Sequence, residues 1–133
     1  TIGPGLEKQV ASTFKSGDPF CAVVLDAIGS IALGRMVEEF YEVCSIEAAE
    51  TNIGIGPRIS PGCHRVPLST QKMLFSLLDA SRIGVTLSSS CLMSPIKSSS
   101  LLFPLGAGRP DSLRNSDLCR FCDLKGRCYA RYV

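Results

Sequence analysis

The sequence predicts a fold that combines long helices with a few short strands. Apolar residues recur at helical spacing from residue 20 to about residue 50, which is typical of one long helix. A second helical pattern begins near Ser69, with an apolar stripe that follows it. Two short apolar runs, at 83–87 and 101–105, are typical of strands. These observations predict a mixed helix and strand domain.

Length and composition predict a folded domain and argue against a nucleic-acid partner. The chain has 133 residues, of which 45% are apolar and 20% are charged, so it can bury a core. A net charge of +2 is too small for a nucleic-acid surface. Aromatic residues make up 7% and include no Trp, which argues against a base-stacking platform. We therefore expect no nucleic-acid partner.

The start of the chain and its apolar runs predict a cytoplasmic protein without a membrane partner. The longest apolar run, 20–33, is interrupted by Asp26 and is shorter than the roughly 18 residues that span a bilayer. The first residues lack the basic and apolar stretches of a signal peptide. The chain opens on Thr1, which indicates processing or a fragment whose core lacks an N-terminal part.

Glycine, proline and capping residues divide the first half of the chain into predicted elements. A short amphipathic helix is predicted at 6–14, and the turn that follows offers Asp18 as an N-cap and a proline at the first helical position. Gly29 and Gly34 lie inside the long helical pattern, where they indicate either close helix packing or the approach of a ligand to the backbone. Repeated glycines and prolines predict a loop at 53–67.

The C-terminal segment has the cysteine spacing of a metal site. Cys119, Cys122 and Cys128 form a C-x2-C-x5-C pattern among basic residues that stabilise thiolates. Seven cysteines are many for a reducing compartment, and an odd number argues against a complete disulfide set. We expect an iron–sulfur cluster, with 4Fe–4S favoured and zinc as the alternative. A segment without metal is the third interpretation.

Three cysteines leave one position of a four-ligand site open. The candidates for it are Cys63, His64, Cys91 and Cys44, and Cys63 is favoured because its glycine-rich loop can approach another element. Cys21, like Cys44, lies on the long helix and is expected to be a buried thiol. The domain boundaries predicted from these patterns are a core at 1–105, a linker at 106–117 and a metal-binding tail at 118–133.

The loop that precedes Cys63 has the composition of a small-ligand site. Arg58 can present a planar guanidinium to a carboxylate, and Ser60 adds a hydroxyl and backbone groups. Pro61 stiffens the turn, and Gly62 removes side-chain bulk so that a flat ligand can lie against the backbone. A small zwitterion fits this chemistry. The alternative is a structural turn with a solvated Arg58.

Five segments of the chain, taken in order, resemble a known family. The chain is similar to the activation domain of cobalamin-dependent methionine synthase, in its small stand-alone form, over roughly 1–105. The Arg-x-Ser-Pro-Gly loop is the most specific part of the resemblance. The segments that carry the resemblance are 25–30 (LDAIGS), 58–63 (RISPGC), 67–78 (PLSTQKMLFSLL), 83–87 (IGVTL) and 93–98 (MSPIKS).

The resemblance implies a fold and a function. The fold would be α+β, with a twisted antiparallel sheet and long helices. The domain would bind S-adenosylmethionine, with Arg58 on the methionyl carboxylate, Ser60 in contact through its backbone, and Gly62 and Cys63 beside the ligand. The methyl group would pass to cob(I)alamin on a partner, a corrinoid protein or cobalamin-dependent methyltransferase, supported by an electron donor.

The chain also departs from the family pattern. By ungapped alignment, a ligand-binding glutamate of the family falls at Gly34, and the strand that supplies a further tyrosine is replaced by the linker and tail. Three functions follow as hypotheses. The first is a corrinoid-reactivation module with an iron–sulfur tail, and the second is a docking or regulatory module with a structural zinc tail. The third is a metal-dependent redox protein that does not act on corrinoids.

Overall fold

A computed structural model describes residues 1–63 and 65–107 of the chain. In this part the chain is a mixed helix and strand structure of the α+β type with small antiparallel sheets, as predicted. It divides into two compact units, one of Thr1–Glu39 with Gln71–Ser99 and one of Phe40–Thr70 with the described residues from Ser100 onward. The elements in order are α1 Gly5–Lys15, α2 Pro19–Glu50, β1 Ile53–Ile55, α3 Thr70–Leu77, a 3-10 turn Ala80–Ile83, β2 Thr86–Leu87, β3 Met93–Ser94 and β4 Leu105–Ala107.

The three predicted helices are confirmed, and α2 begins where the capping signals placed it. Pro19 is the first residue of the helix. Proline suits this position because its φ is fixed near the helical value and it has no N–H that would need a partner. A carboxylate oxygen of Asp18 accepts a hydrogen bond from the backbone N–H of Cys21 at 3.0 Å, as an N-cap does. The cap fixes the start of a helix of 32 residues.

Close packing explains one of the two glycines inside α2. In the first unit Gly29 is buried, and a Cβ there would overlap Cδ2 of Leu6 and lie 3.5 Å from Cδ1 of Ile2. Only a residue without a side chain lets α1 approach α2 this closely. Gly34 differs, because a Cβ there would meet nothing within 4 Å.

Lys97 joins four segments of the first unit. Its ammonium group lies 2.9 Å from a carboxylate oxygen of Asp26 and 2.7 Å from the hydroxyl of Ser30, both on α2. Its backbone N–H donates to the Glu7 carboxylate on α1 at 2.8 Å, and its carbonyl accepts from the N–H of Ile2 at 3.1 Å. The side chain of Lys97 is only 12% exposed. One residue thus fixes a loop and the N-terminal segment against both helices.

A few small and apolar side chains form the core of the first unit. Leu74 and Gln71 are the buried residues of α3, and the amide oxygen of Gln71 has no hydrogen-bond partner among the residues that the structure describes. The other buried core residues are Ala22, Val85 and Cys91. The unit therefore depends on polar contacts as well as on apolar burial.

The strand predicted at 83–87 is shorter than expected. Residues Ala80–Ile83 form a 3-10 turn instead, which ends at Gly84 in the left-handed conformation, φ 68°. The N–H groups of Gly84 and Val85 bond back to the carbonyls of the turn, so pairing begins only at Thr86. The resulting strand β2 pairs in antiparallel register with β3, which was not predicted.

The second unit contains a strand pair that corrects three boundaries. Ile53–Ile55, predicted as part of a loop, forms β1 and pairs with β4, Leu105–Ala107. The strand predicted at 101–105 is instead one bridge at Leu102 followed by β4, because Pro104 has no N–H to continue the ladder. The pairing of Ile53 with Ala107 also places the start of the predicted linker, residues 106 and 107, in a strand.

Helix α2 leaves much of its apolar surface exposed. An 18-residue window within it has a mean hydropathy of 1.8, and 11% of that window is buried. By length and composition alone the helix could cross a membrane, although the prediction from the sequence counted the interruption at Asp26 against this. Exposed apolar side chains along the helix include Phe20, Val23, Ile28, Ile31, Phe40, Val43 and Ile46.

Candidate functional site

The predicted ligand loop is held in place at its start by contacts within the second unit. The N–H of Gly56 donates to the carbonyl of Pro104 at 2.7 Å, and the Gly56 carbonyl accepts from the Tyr41 hydroxyl at 3.2 Å. Ile59 and Leu102 exchange two backbone hydrogen bonds of 3.0 and 2.8 Å. Pro57 and Arg58 lie between these anchors, so the backbone of Arg58 is fixed on both sides.

The Arg58 guanidinium lies over an aromatic ring. Its central carbon is 5.9 Å from the ring centroid of Tyr41, within the range of a cation–π contact. The Tyr41 ring in turn packs against Phe103, with centroids 5.4 Å apart. Arg58 is half-buried, so the stack orients its planar donor group.

The remaining loop residues form tight, successive turns. The carbonyl of Ser60 accepts from the N–H of Cys63 at 3.0 Å, and Gly62 donates to Val66 at 2.8 Å. Gly62 has φ 87°, a conformation that L side chains rarely adopt. Pro61 is buried, whereas Gly62 and Cys63 are exposed. The loop therefore presents backbone and a thiol at its surface.

A groove of about 340 Å³ lies in the same unit. Phe103 lines it and is also the residue on which the Tyr41 ring packs. Glu47 is the charged side chain among its lining residues, and the rest are mostly apolar. The volume lies in the range of small-molecule sites. The other lining residues are Cys44, Ala48, Thr51, Ile53, Ile55 and Leu105.

The predicted metal site falls mainly outside the described residues. Cys119, Cys122, Cys128 and His64 lie there, so the structure describes only Cys63 of the proposed ligand set, and this residue is exposed. Among the described residues no group of three or more Cys, His, Asp or Glu side chains could hold a metal ion. The metal assignment therefore stays a prediction.

The four described cysteines carry thiols rather than disulfides, and neither Cys21 nor Cys44 is fully buried as expected. Cys21, expected to be buried, is exposed at the first turn of α2. Cys44 is half-buried in the wall of the groove, and Cys91 is buried. The helix start places Cys21 beside the capping carboxylate, in a hydrogen bond that is exposed.

The cap also changes the ionisation of both side chains. Hydrogen bonds from Cys21, first from its backbone N–H and then from its thiol, hold the pKa of Asp18 below its ordinary value. The same carboxylate raises the pKa of the Cys21 thiol, through the hydrogen bond and then through its charge. Cys21 is consequently a poor nucleophile near neutral pH, despite its exposure.

We expect Cys21 to react faster with iodoacetamide in Asp18→Asn than in the parent chain. Asn keeps the cap but removes the negative charge that disfavours the thiolate. Peptide mass spectrometry at pH 8 on dilute, metal-free protein gives the rate, and Cys63 in the same sample serves as the unchanged reference. Equal rates at Cys21 in the two chains would contradict this assignment.

Sequence patterns missed two residues that shape this unit. Tyr41 and Phe103 were not among the predicted site residues, yet they form the platform beneath Arg58 and one wall of the groove. The signal for Tyr41 was weak, since an aromatic residue on a long helix usually fills a core. Phe103 lies in an apolar run that indicated only a strand.

Comparisons with protein-family models, with curated proteins and with solved structures found no match to this chain.

Proposed function

We propose that the second unit binds S-adenosylmethionine and that the chain supports the reductive reactivation of a corrinoid protein. The observation that carries the proposal is the guanidinium of Arg58, oriented on the Tyr41 ring at the head of a loop with little side-chain bulk. The specific activation-domain fold implied by the resemblance is part of the same proposal. Cytoplasmic location is expected for such a role.

A carboxylate is the group that best fits Arg58. A guanidinium accepts a carboxylate in a planar, two-point arrangement, and the aromatic stack limits the conformations that must be ordered on binding. Ser60 and Gly62 follow it in the turn, where exposed backbone can lie against a flat ligand. The methionyl end of S-adenosylmethionine offers the carboxylate that this loop requires.

The groove suits the rest of the ligand. Its largely apolar wall matches a purine or a thioether chain, and the Glu47 carboxylate is complementary to a sulfonium cation. The ring of Phe103 connects the groove with the platform beneath Arg58 through Tyr41. A zwitterion with an additional positive charge therefore fits better than a neutral ligand of equal size.

In the proposed reaction one electron from a low-potential donor reduces cob(II)alamin on the partner to cob(I)alamin. The Co(I) centre attacks the methyl carbon, the sulfonium C–S bond breaks with both electrons on sulfur, and methylcobalamin and S-adenosylhomocysteine are formed. No proton transfer is required. The chain's own contribution is to bind and orient the methyl donor.

Isothermal titration calorimetry of the full chain with S-adenosylmethionine tests the binding step. We expect Arg58→Lys to weaken binding about tenfold, because an ammonium cannot make the two-point carboxylate contact. Arg82→Lys, at an exposed position of the first unit, is the matched control and should bind like the parent chain. Glu47→Gln should reduce the preference for S-adenosylmethionine over uncharged S-adenosylhomocysteine.

Two results would contradict this proposal. Absence of binding heat at millimolar S-adenosylmethionine would show that this chain does not bind the methyl donor. Unchanged affinity in Arg58→Lys would show that charge alone, rather than the stacked guanidinium, determines binding, and an equal loss in the Arg58 and Arg82 variants would show that the effect is not specific to Arg58. Thermal unfolding of each variant establishes that it is folded under the conditions of the titration.

The iron–sulfur cluster is proposed on the spacing of Cys119, Cys122 and Cys128, with Cys63 as the fourth ligand. Iron and sulfide analysis of anaerobically prepared protein tests it, together with the visible spectrum before and after dithionite. One equivalent of zinc with no visible absorbance would instead support a structural zinc tail.

Gly34 favours a second candidate function, a docking or regulatory module of a corrinoid methyltransferase system. The position aligned with a ligand-binding glutamate carries no side chain, and nothing lies within 4 Å of where its Cβ would be. Such a module would bind the corrinoid protein without transferring a methyl group. Partner capture that persists when S-adenosylmethionine is absent and iron is replaced by zinc would favour it.

A further inference from the structure

The structure assigns Tyr41 as the positioning residue for the carboxylate end of the proposed site: its hydroxyl and its ring together orient the guanidinium of Arg58 toward the ligand. The assignment rests on the proposed function, because the carboxylate is that of S-adenosylmethionine. The support lies within the second unit, in a strand pair with a missing donor, a bulge that carries Arg58, and an aromatic stack.

The Tyr41 hydroxyl replaces a hydrogen-bond donor that the strand pair lacks. β1 and β4 are in antiparallel register as far as Ile55 opposite Leu105, and the next pair along the ladder is Gly56 opposite Pro104. In such a pair each residue normally donates its N–H to the carbonyl of the other. Gly56 donates to Pro104 at 2.7 Å, but proline has no N–H to return. The carbonyl of Gly56 instead accepts from the Tyr41 hydroxyl, at 3.2 Å.

Arg58 lies on a bulge directly after this pair. The next cross-strand pair is Ile59 with Leu102, so two residues of one strand oppose the single residue Phe103 of the other. A bulge of this kind disrupts the ladder locally and redirects a side chain. The direction of the Arg58 side chain therefore depends on the contacts that hold the two ends of the bulge, and the Tyr41 hydroxyl is one of them.

The ring of the same tyrosine contacts the guanidinium. The central carbon of Arg58 is 5.9 Å from the Tyr41 centroid, and that ring packs against Phe103 at 5.4 Å. Phe40, the preceding residue of α2, packs against Phe103 as well, with centroids 6.2 Å apart. Phenylalanine at position 41 could supply the ring but no hydroxyl, so tyrosine suits both contacts.

Holding the guanidinium in advance reduces the cost of binding a carboxylate. A long side chain that is ordered only on binding loses conformational entropy, whereas one that is already oriented loses less. The two-point contact with a carboxylate also requires the plane of the guanidinium to be set. Tyr41 thus acts through Arg58, and its effect should be confined to ligands that carry the carboxylate.

Calorimetry with two ligands tests the assignment on the full chain. One is S-adenosylmethionine, and the other is 5′-methylthioadenosine, which keeps the adenosine and the thioether but has no carboxylate. We expect Tyr41→Phe to weaken S-adenosylmethionine binding about threefold and Tyr41→Leu about tenfold, since the first removes the hydroxyl and the second also removes the ring. Binding of 5′-methylthioadenosine should stay within about twofold of the parent value in both variants.

Two further variants complete the experiment. Added to Arg58→Lys, the Tyr41→Leu change should weaken S-adenosylmethionine binding by no more than about twofold, because the group it orients is already gone. Phe40→Leu removes the other ring that packs on Phe103 and is the matched control, with binding like the parent chain. Equal losses for both ligands in Tyr41→Leu, or a full tenfold loss in the Arg58→Lys background, would overturn the assignment.

A measurement without ligand separates failure of this assignment from failure of the proposed function. A parent chain that binds no S-adenosylmethionine would remove the proposed function, and the heteronuclear NOE of the Arg58 Nε–H group then decides whether Tyr41 orients it. This NOE reports order on the picosecond to nanosecond timescale. It should fall in Tyr41→Leu and keep its parent value in Phe40→Leu. An unchanged NOE in Tyr41→Leu would overturn the assignment.

Discussion

Lys97→Met is expected to lower the free energy of unfolding by about 2 kcal/mol, because it removes two hydrogen bonds that a charged, largely buried ammonium group donates. The substitution keeps an unbranched chain of similar length but removes the contacts with Asp26 and Ser30. The Lys97 side chain is only 12% exposed, so water replaces these contacts poorly. The Asp26 side chain is 54% exposed, which keeps the expected loss below that of a fully buried pair.

Urea unfolding followed by circular dichroism measures this loss, at a concentration where the chain is monomeric. Arg35→Met is the matched control, because it removes an ion pair of similar length on the same helix. That pair is exposed at both side chains, so its removal should cost less than about 0.5 kcal/mol. Equal losses in the two variants would show that the Lys97 contacts add no more than a surface pair.

Substitution of the two glycines of α2 by alanine is expected to have opposite effects. Gly34→Ala should raise the free energy of unfolding by about 1 kcal/mol, since alanine favours the helix and the added Cβ meets nothing. Gly29→Ala should lower it by about 1–2 kcal/mol, because the new Cβ overlaps Leu6 and the packing of α1 on α2 must shift. The two variants make the same chemical change at helical positions five residues apart.

The same urea titration on dilute protein measures both glycine variants. Leu6→Ala combined with Gly29→Ala is the companion variant, since it removes the atom that the new Cβ overlaps. The double variant should then have the same free energy of unfolding as Leu6→Ala alone, or a higher one. A stabilising effect of Gly29→Ala in the parent chain would mean that the contact of α1 with α2 is looser than the structure describes.

The candidate site was partly predictable because loop chemistry is local. Glycine and proline restrict the backbone wherever they occur, so the turn at 60–63 and its left-handed Gly62 follow from the order of residues. The guanidinium of Arg58 was identified on the same basis. Its platform was not, because Tyr41 and Phe103 are distant in sequence from each other and meet only when the chain folds. Non-local aromatic contacts leave no short-range pattern.

Strand boundaries were the least accurate part of the fold prediction. The pairing of β1 with β4 joins residues more than 45 positions apart, and neither strand is stable without the other. A run of only three residues carries too little alternation to be recognised before its partner is known. Pro104 and Gly84 shifted the remaining strand ends by removing a donor and by ending a turn, respectively.

The sequence by itself determined the helices, the cap at Asp18 and the turn around Gly62, because each depends on the conformational preferences of neighbouring residues. Tertiary structure alone decided that Gly29 serves packing while Gly34 faces open space. In the sequence, both glycines lie inside the same long helical pattern. What separates them is the presence of Leu6 on another helix, and such a contact is a property of the folded arrangement.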